Sequence, residues 1–483
     1  MNASGIRDLF EAALPETAHA ETVLELGHMY LPAGHIKAIA LDRPIVVGDR
    51  GAGKSFWLKS LVDDKRRRLI ADIFGVAALS TCDVATGFDP TTTGNYPDSK
   101  VLSGLIQNGV EPADIWYAVL VQACIPTVIP ATVDSWSQKI EWIKNHPEPI
   151  AKQLSKKNQE LVKSDRSLLI AFDGLDRLAP QWKNTVSLVR GLLQAQLDFG
   201  KYSHLRTKAF IRPDLFSDAE IRRFPDASKL MSLAVKLEWQ AIDLYGLVWQ
   251  YLANSTNNPS SASFRKFSQT AAGFKWHSKD GTIFVLDERI RHDESKQESL
   301  FHLIAGKTMG GKRSGNTWTW LPTHLSDANG YASPRSFLVA LRSAAEDSKN
   351  RKFVGTKYAL HPSSIKEGVS KASEVRRNEL EENLPWITDI FKPLRGLPLP
   401  SRKQDVVARW KKSKTLEKIL NVNGLSHIQV PLPEQVEDGD PGSILLALER
   451  LGLCRLLSDG RVDFPDIVRV DAGMTRKGGV PVK

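Results

Sequence analysis

The sequence predicts an α/β fold: a parallel-sheet core, a helical lid and a C-terminal winged-helix-like domain. Three observations carry that expectation. A short β-branched run, Ile45–Val47, enters a glycine loop and then a helix in RPIVVGDRGAGKSFWLKSLV. Further short apolar runs at Leu69–Val76, Leu168–Phe172, Ala209–Ile211 and Ala234–Leu237 are bounded by turn or helix signals, as parallel strands buried on both faces are. Near the end, GSILLALERLGLCRLLSDGRVDFPDIVRV reads as helix, strand, turn, strand, because Asp459-Gly460 supplies the positive φ values a tight hairpin needs.

At 483 residues the chain has room for roughly three domains at about 150 residues each. Its 42% hydrophobic and 25% charged residues are ordinary globular composition, which excludes disorder throughout. Lys plus Arg number 65 against 55 Asp plus Glu, a net charge of +10, so clustered charge would attract polyanions such as nucleic acid. Cys82, Cys124 and Cys454 are odd in number and have no CxxC spacing, which argues against a disulfide scaffold or zinc ribbon and for a reducing cytoplasm. No stretch approaches the ~18 uninterrupted apolar residues of a spanning helix, and Glu11 and Glu16 stand where a signal peptide is apolar. The expectation is a cytoplasmic protein with no export signal and no membrane contact.

Residues 1–41 read as short flanking helices, with Leu9, Phe10, Leu14, Leu24, Leu26 and Met29 at roughly helical spacing. The core is expected over 42–240. Lys54 and Asp173 are 119 positions apart, more than one crossover needs. The stretch containing DVATGFDPTTTGNYPDS, Trp116, Trp136 and Trp142 is therefore read as an insertion, either a packed helical decoration or a partner-binding piece. Residues 241–347 form the lid: a helix at AIDLYGLVWQYLA, a loop at STNNPSSAS, loop-rich sequence to Asn329, then a helix at SPRSFLVALRSAAED with Ser333 as cap and Pro334 tolerated at its first position. A basic helical connector over 348–435, with a helix around Trp410, leads to the winged-helix-like domain over 436–483. No internal repeat is visible.

Gly48-Asp49-Arg50-Gly51-Ala52-Gly53-Lys54-Ser55 matches G-x-x-x-x-G-K-[ST] in full. The glycines let backbone N–H groups curl around a β-phosphate, Lys54 reaches the β and γ oxygens, and the Ser55 hydroxyl can ligate Mg²⁺. With Phe56, these are the expected ATP-binding residues. The preceding strand and following helix are the surroundings this motif requires, so the core is expected to be a P-loop NTPase fold. The second half is SLLIAFDGLDRLA, 167–179: a buried strand delivers Asp173 to the sheet edge, where its carboxylate would hold Mg²⁺ through water. Asp176 could orient the attacking water or pair with Arg177. Position 174 is Gly, so the adjacent Asp-Glu pair of the most active mechanical ATPases is absent.

Other motifs say less. AGKTMGGKRSG, 305–315, imitates a second phosphate loop, but Phe301 stands where the leading glycine belongs. HDE at 292–294 reads as a solvated charge run, and there is no HExxH, Cys-His zinc spacing or G-x-S-x-G elbow. Arg222 and Arg223 stand where a neighbour's nucleotide could be touched, although most such pairs are solvated. In SRKQDVVARWKKSKTLEK, 401–418, Arg402, Lys403, Arg409, Lys411, Lys412, Lys414 and Lys418 outweigh Asp405 and Glu417. Together with Trp410, or with Arg476 and Lys477 nearer the end, they could dock a DNA or RNA backbone, or form a solvated helix face.

GDRGAGKS, the strand ending in DGLDR, KAFIRPD, LEWQAIDLYGLV and SPRSFL together resemble the AAA+-related P-loop ATPases of the STAND and KAP-like type, over about residues 35–347. The resemblance implies that Arg212, ending the strand after the Mg²⁺ aspartate, senses the γ-phosphate, and that Arg335, at the start of a lid helix, closes over the nucleotide. Arg177 replaces the acidic residue usual after DGLD in STAND proteins. The resemblance therefore implies a catalytic set of Lys54, Asp173, Asp176, Arg212 and Arg335 with slow turnover. The expected function is a Mg²⁺-dependent ATP switch whose nucleotide state controls homo-oligomerisation or protein-partner binding, by analogy in a bacterial conflict or signalling module. The rival is an ATP-dependent DNA-binding regulator of initiator type, acting through its winged C-terminus.

Overall fold

The computed structural model describes every residue except 17–24, 256–258, 280, 312–313, 352–356, 385, 423–439, 478–479 and 483. The described residues fall into two compact units, one over Ala33–Glu238, the other formed by Met1–Pro32 with most of the chain from Trp239 on. The chain opens on α1 (Ala3–Ala13), started by the Asn2 side chain accepting from the Gly5 amide at 2.9 Å.

In the unit Ala33–Glu238, α2 (Ala33–Ile39) leads to β1 (Ile45–Val47). There follow α3 (Lys54–Val62), α4 (Asp64–Phe74) and β2 (Cys82–Phe88). Four helices come next: α5 (Ser99–Gln107), α6 (Pro112–Cys124), α7 (Trp136–Asn145) and α8 (Pro147–Lys163). The unit ends with β3 (Ser167–Phe172), α9 (Trp182–Phe199), β4 (Leu205–Ile211) and β5 (Val235–Lys236). All five strands are parallel, in the order β2-β3-β4-β1-β5.

Parallel strands need crossovers, and the crossover helices cover the sheet. Ile45, Val47, Ile170, Phe172, Ala209 and Ile211 share one core with Trp116, Leu188 and Leu192. The period of two sends Val46, Leu169 and Phe210, equally buried, to the opposite face. Trp116 Nε1 donates to the Leu188 carbonyl at 2.7 Å, tying α6 to α9. On the other face Lys208, fully buried on β4, donates to the carbonyls of Ala38, Ala40 and Arg43 at 2.8, 2.9 and 2.5 Å, fixing the chain that enters β1.

Two sequence expectations are corrected here. The run at Leu69–Val76 is not a strand but lies mostly in α4. Asp63 caps that helix from its start by accepting from Arg66 N, and Gly75 at φ +68° ends it. The missing strand is β2, inside the stretch read as an insertion. It pairs only with β3, at the sheet edge, so Asp83 and Thr86 are tolerated there. The rest of that stretch is the packed helical alternative, α5 to α8.

In the other unit, the expected helix forms over Pro334–Asn350 with Pro334 in its first turn; Ser333 stands at the N-cap position, but its side chain makes no capping hydrogen bond. Its Arg342 donates to the Glu11 and Leu14 carbonyls, both at 2.6 Å, closing the open end of α1. The expected loop-rich stretch to Asn329 is instead largely ordered. It contains helices Pro259–Ala272, Glu294–Ala305 and Thr317–Leu325, and the hairpin β6 (Trp276–Lys279) with β7 (Ile283–Leu286). Asp293 of the HDE run caps the second of these helices by accepting from Lys296 N. The aromatic interior explains the order: Tyr245 stacks on Trp318 at 3.8 Å and meets Phe337 edge-on at 4.9 Å.

The C-terminal region is winged-helix-like. After β8 (Pro398–Leu399) come β9 (Ser401–Arg402), helices Lys403–Lys412, Thr415–Val422 and Ser443–Arg450, then β10 (Arg455–Leu456) and β11 (Arg461–Asp463). β11 lies antiparallel between β10 and β9, so the wing sheet draws on chain upstream of residue 436. Gly460 at φ +79° makes the expected turn, and β12 (Thr475–Arg476) closes onto β8. Trp410 is no stacking platform for a base. It is buried, with Nε1 donating to the Ile390 carbonyl at 2.9 Å. Among the described residues no helix is long and apolar enough to cross a membrane.

Candidate phosphate-binding site

The C-terminal edge of the parallel sheet gathers the motif residues, because strands that run the same way all deliver their following loops to one side. After β1, Gly48 N donates to the Ile211 carbonyl at 3.0 Å, prolonging the ladder to β4 for one more residue. The loop then turns on Gly51 (φ +76°) and Gly53 (φ +102°), values that L side chains rarely adopt. Gly53 begins α3 without a side-chain cap, so the first-turn amides are directed into the loop, the arrangement that receives phosphate. Lys54 arches back, its Nζ donating to the carbonyls of Gly48 at 2.7 Å and Asp49 at 2.9 Å. Burial lowers its pKa, against the pull of Asp173 and Asp176. Ala52 is buried in the loop, and Phe56, on the first turn of α3, packs edge-on against Trp57 at 4.8 Å.

Asp173 follows β3, with its amide donating to the Phe88 carbonyl at 2.9 Å. Ser55 Oγ donates to Asp173 Oδ2 at 2.5 Å, joining the two motif halves across 118 positions. Burial raises the Asp173 pKa, while the Ser55 hydrogen bond and Lys54 work the other way. The next residue, Gly174, has φ +65°, and a Cβ there would lie 2.4 Å from Pro90 Cδ. That packing accounts for the missing second acid: a glutamate at 174 would be strained in backbone and blocked by Pro90.

β4 lies between β1 and β3, so Arg212 at its end stands between the two motif halves. Asp214 grips Arg212 on two sides, accepting from Nε at 3.0 Å and from Nη2 at 2.5 Å. The remaining Nη1 donates to Asp176 Oδ2 at 3.0 Å, and Arg50 Nη2 lies 3.5 Å from the same oxygen. Burial would raise the Asp176 pKa, but Arg212, Arg50 and Lys54 together hold it at about 2. Asp176 thus pairs with Arg212 and Arg50 rather than with Arg177, which is exposed.

The structure therefore gathers Gly48 to Ser55, Asp173, Asp176 and Arg212 at one edge. Arg335 belongs to the other unit, where its Nη1 donates to Glu379 Oε1 at 2.6 Å. Arg222 lies over the Phe216 ring, and Arg223 pairs with Glu220 at 2.7 Å. Sequence reasoning missed Asp214. Its signal was available in Arg-Pro-Asp, which places a carboxylate two residues past a strand-ending arginine.

Mg²⁺ suits hard oxygen donors and takes one or two carboxylates, completing its shell with water and phosphate. Ser55 Oγ and Asp173 are such a pair. Among the described residues no group of three His, Cys, Asp or Glu converges as an all-protein metal cage.

No protein-family model matches the chain, and no curated protein matches it. Among solved structures, it is similar to the Orc2 protein of Aeropyrum pernix in ADPNP-ADP complexes, at 13% identity over 92% of this chain and 88% of that one, with a TM-score of 0.36. It is also similar to Cdc6p from Pyrobaculum aerophilum, at 12% identity over 88% and 83%, with a TM-score of 0.30.

Proposed function

We propose that this chain is a Mg²⁺-dependent ATP-binding and ATP-hydrolysing switch whose nucleotide state controls self-assembly or partner binding. The observation that carries the reading is the meeting of Ser55 and Asp173 at the mouth of a complete phosphate loop. Loop amides and Lys54 bind the phosphates, and Ser55 and Asp173 would hold Mg²⁺, which when bound offsets phosphate charge. Arg212, oriented by Asp214, addresses the terminal phosphate. Turnover is slow, because Gly174 offers no second acid beside Asp173 to act as a base. Lys54→Ala tests the reading by equilibrium binding of ATP: affinity falls by on the order of a hundredfold or more with the fold retained, since a charge-assisted contact is worth about 1.5–3 kcal/mol and Lys54 makes several. Undiminished binding and hydrolysis in this variant would sink the assignment.

A second reading, an initiator-type DNA-binding regulator, is favoured by one feature of the wing. Arg402 and Arg461 stand directly opposite each other across β9 and β11, a placement of like charges that costs stability unless an anion lies between. Asp459 serves Arg461 at 2.6 Å, and a groove of about 360 Å³ opens among Arg402, Lys403, Gln404, Asp459, Gly460 and Arg461. If this groove holds a phosphate backbone, replacing both arginines by alanine weakens duplex DNA binding for every sequence. It also flattens the log-log salt dependence by about 2. An unchanged slope removes the groove from the interface.

A further inference from the structure

Three cations from separate points of the chain surround one carboxylate at the phosphate loop. Arg50 comes from the loop itself, Arg212 from the end of β4, and Lys54 from the start of α3. Asp176 Oδ2 receives both guanidinium groups. Asp214 and Asp173 nearby are already engaged, Asp214 with Arg212 and Asp173 with Ser55. Arg212 does not depend on Asp176 for its orientation, because Asp214 grips it along Nε and Nη2 and leaves Nη1 pointing across the sheet edge. Asp176 itself is firmly placed, in a turn Leu175–Arg177 anchored by buried Leu175.

We propose that Asp176 is a built-in stand-in for the terminal phosphate: it holds Arg50 and Arg212 in the absence of nucleotide and yields both to the γ-phosphate of a nucleoside triphosphate. This rests on the nucleotide reading above and goes beyond it by naming what tells triphosphate from diphosphate. The β-phosphate of either nucleotide meets the loop amides and Lys54. Only a γ-phosphate reaches the partners of Asp176. A phosphate offers three acceptor oxygens and more charge than one carboxylate, so it outcompetes Asp176 for planar guanidinium forks. Diphosphate leaves the Asp176 clasp closed. Released by triphosphate, Asp176 is left facing the phosphate as an unpaired carboxylate, able to orient water. One residue thus serves first as competitor and then as positioning group.

The test is equilibrium binding of Mg²⁺ with ADP and with a non-hydrolysable ATP analogue, on wild type, Asp176→Asn and Arg50→Gln. Removing the competitor in Asp176→Asn tightens the triphosphate analogue by on the order of tenfold, the worth of one charge-assisted hydrogen bond, and leaves ADP affinity within about twofold. Arg50→Gln weakens the analogue by a similar factor and spares ADP. An Asp176→Asn protein that binds the analogue no better, or that shifts both nucleotides equally, overturns the proposal. Should that variant fail to fold, an Arg50→Gln protein with an unaltered preference for triphosphate overturns it alone. Failure of the nucleotide reading looks different: wild type and Lys54→Ala would then be indistinguishable with either nucleotide.

Discussion

Asp176 shows how one carboxyl is governed by opposed forces. Burial works to protonate it, and Arg212, Arg50 and Lys54 prevail, setting its pKa at about 2 against 3.8 for a free aspartate. A depressed folded-state pKa means that the unfolded chain binds the proton first as pH falls. The stabilisation is therefore whole above about pH 4 and is lost as pH falls through about 2. Holding the carboxyl at about 2 instead of 3.8 is worth about 2 kcal/mol. Chemical denaturation across pH should find Asp176→Asn less stable than wild type by about that amount at pH 7, with the gap closing between pH 4 and pH 2. A gap that stays constant through that range would mean the ion pairs contribute nothing to folding. The sequence showed Asp176 as a candidate but not its partners, because a salt bridge between positions 50, 176 and 212 exists only once β1, β3 and β4 are side by side.

At the scale of elements, what could be read depended on whether the signal was local. β1, β3, β4 and β5 were legible because each lies in a short, mostly apolar run, with Gly48 and Asp173 directly after β1 and β3, and the phosphate loop was legible because its glycines have one purpose. Leu69–Val76 misled because an apolar run on a helix and one on a strand look alike over a few residues. The deciding signals were Asp63 and Gly75, a cap at each end. β2 escaped because an edge strand does not need to be apolar throughout. Its Gly87 is required by something distant in sequence: a Cβ there would lie 2.3 Å from the Phe172 ring. The described helices and hairpin between Pro259 and Asn329 were hidden in the same way, since polar STNNPSSAS drew attention while Phe264, Phe274, Phe301 and Trp318 were supplying a core. Asp459-Gly460 and the helix before it were enough to find the wing, but not the pairing of β9 with β11, which brings together residues about sixty positions apart.

A switch requires that nucleotide bound through Ala33–Glu238 change the behaviour of the whole chain, and Arg335 is the candidate reader that the sequence resemblance offers outside that unit. It now stands in an ion pair with Glu379 at 2.6 Å, with side chains 27% and 16% exposed. A pair so placed contributes about 1 kcal/mol or less. This makes two roles separable, since Arg335→Ala removes both the pair and the reader, whereas Glu379→Ala removes the pair, together with the contact of Glu379 to Arg376 at 3.3 Å, and keeps the reader. Arg335→Ala should lose a small amount of thermal stability, and Glu379→Ala somewhat more, because it gives up the Arg376 contact as well. If Arg335 reads the γ-phosphate, the protease protection expected with a non-hydrolysable ATP analogue but not with ADP disappears in Arg335→Ala. It persists or strengthens in Glu379→Ala, where the guanidinium no longer has to leave a carboxylate. ADP affinity should change little in either, because a lid contact made only to the terminal phosphate adds nothing to diphosphate binding. Limited proteolysis of the two variants with each nucleotide decides the matter: an intact triphosphate-specific pattern in Arg335→Ala would reduce that residue to its ion pair.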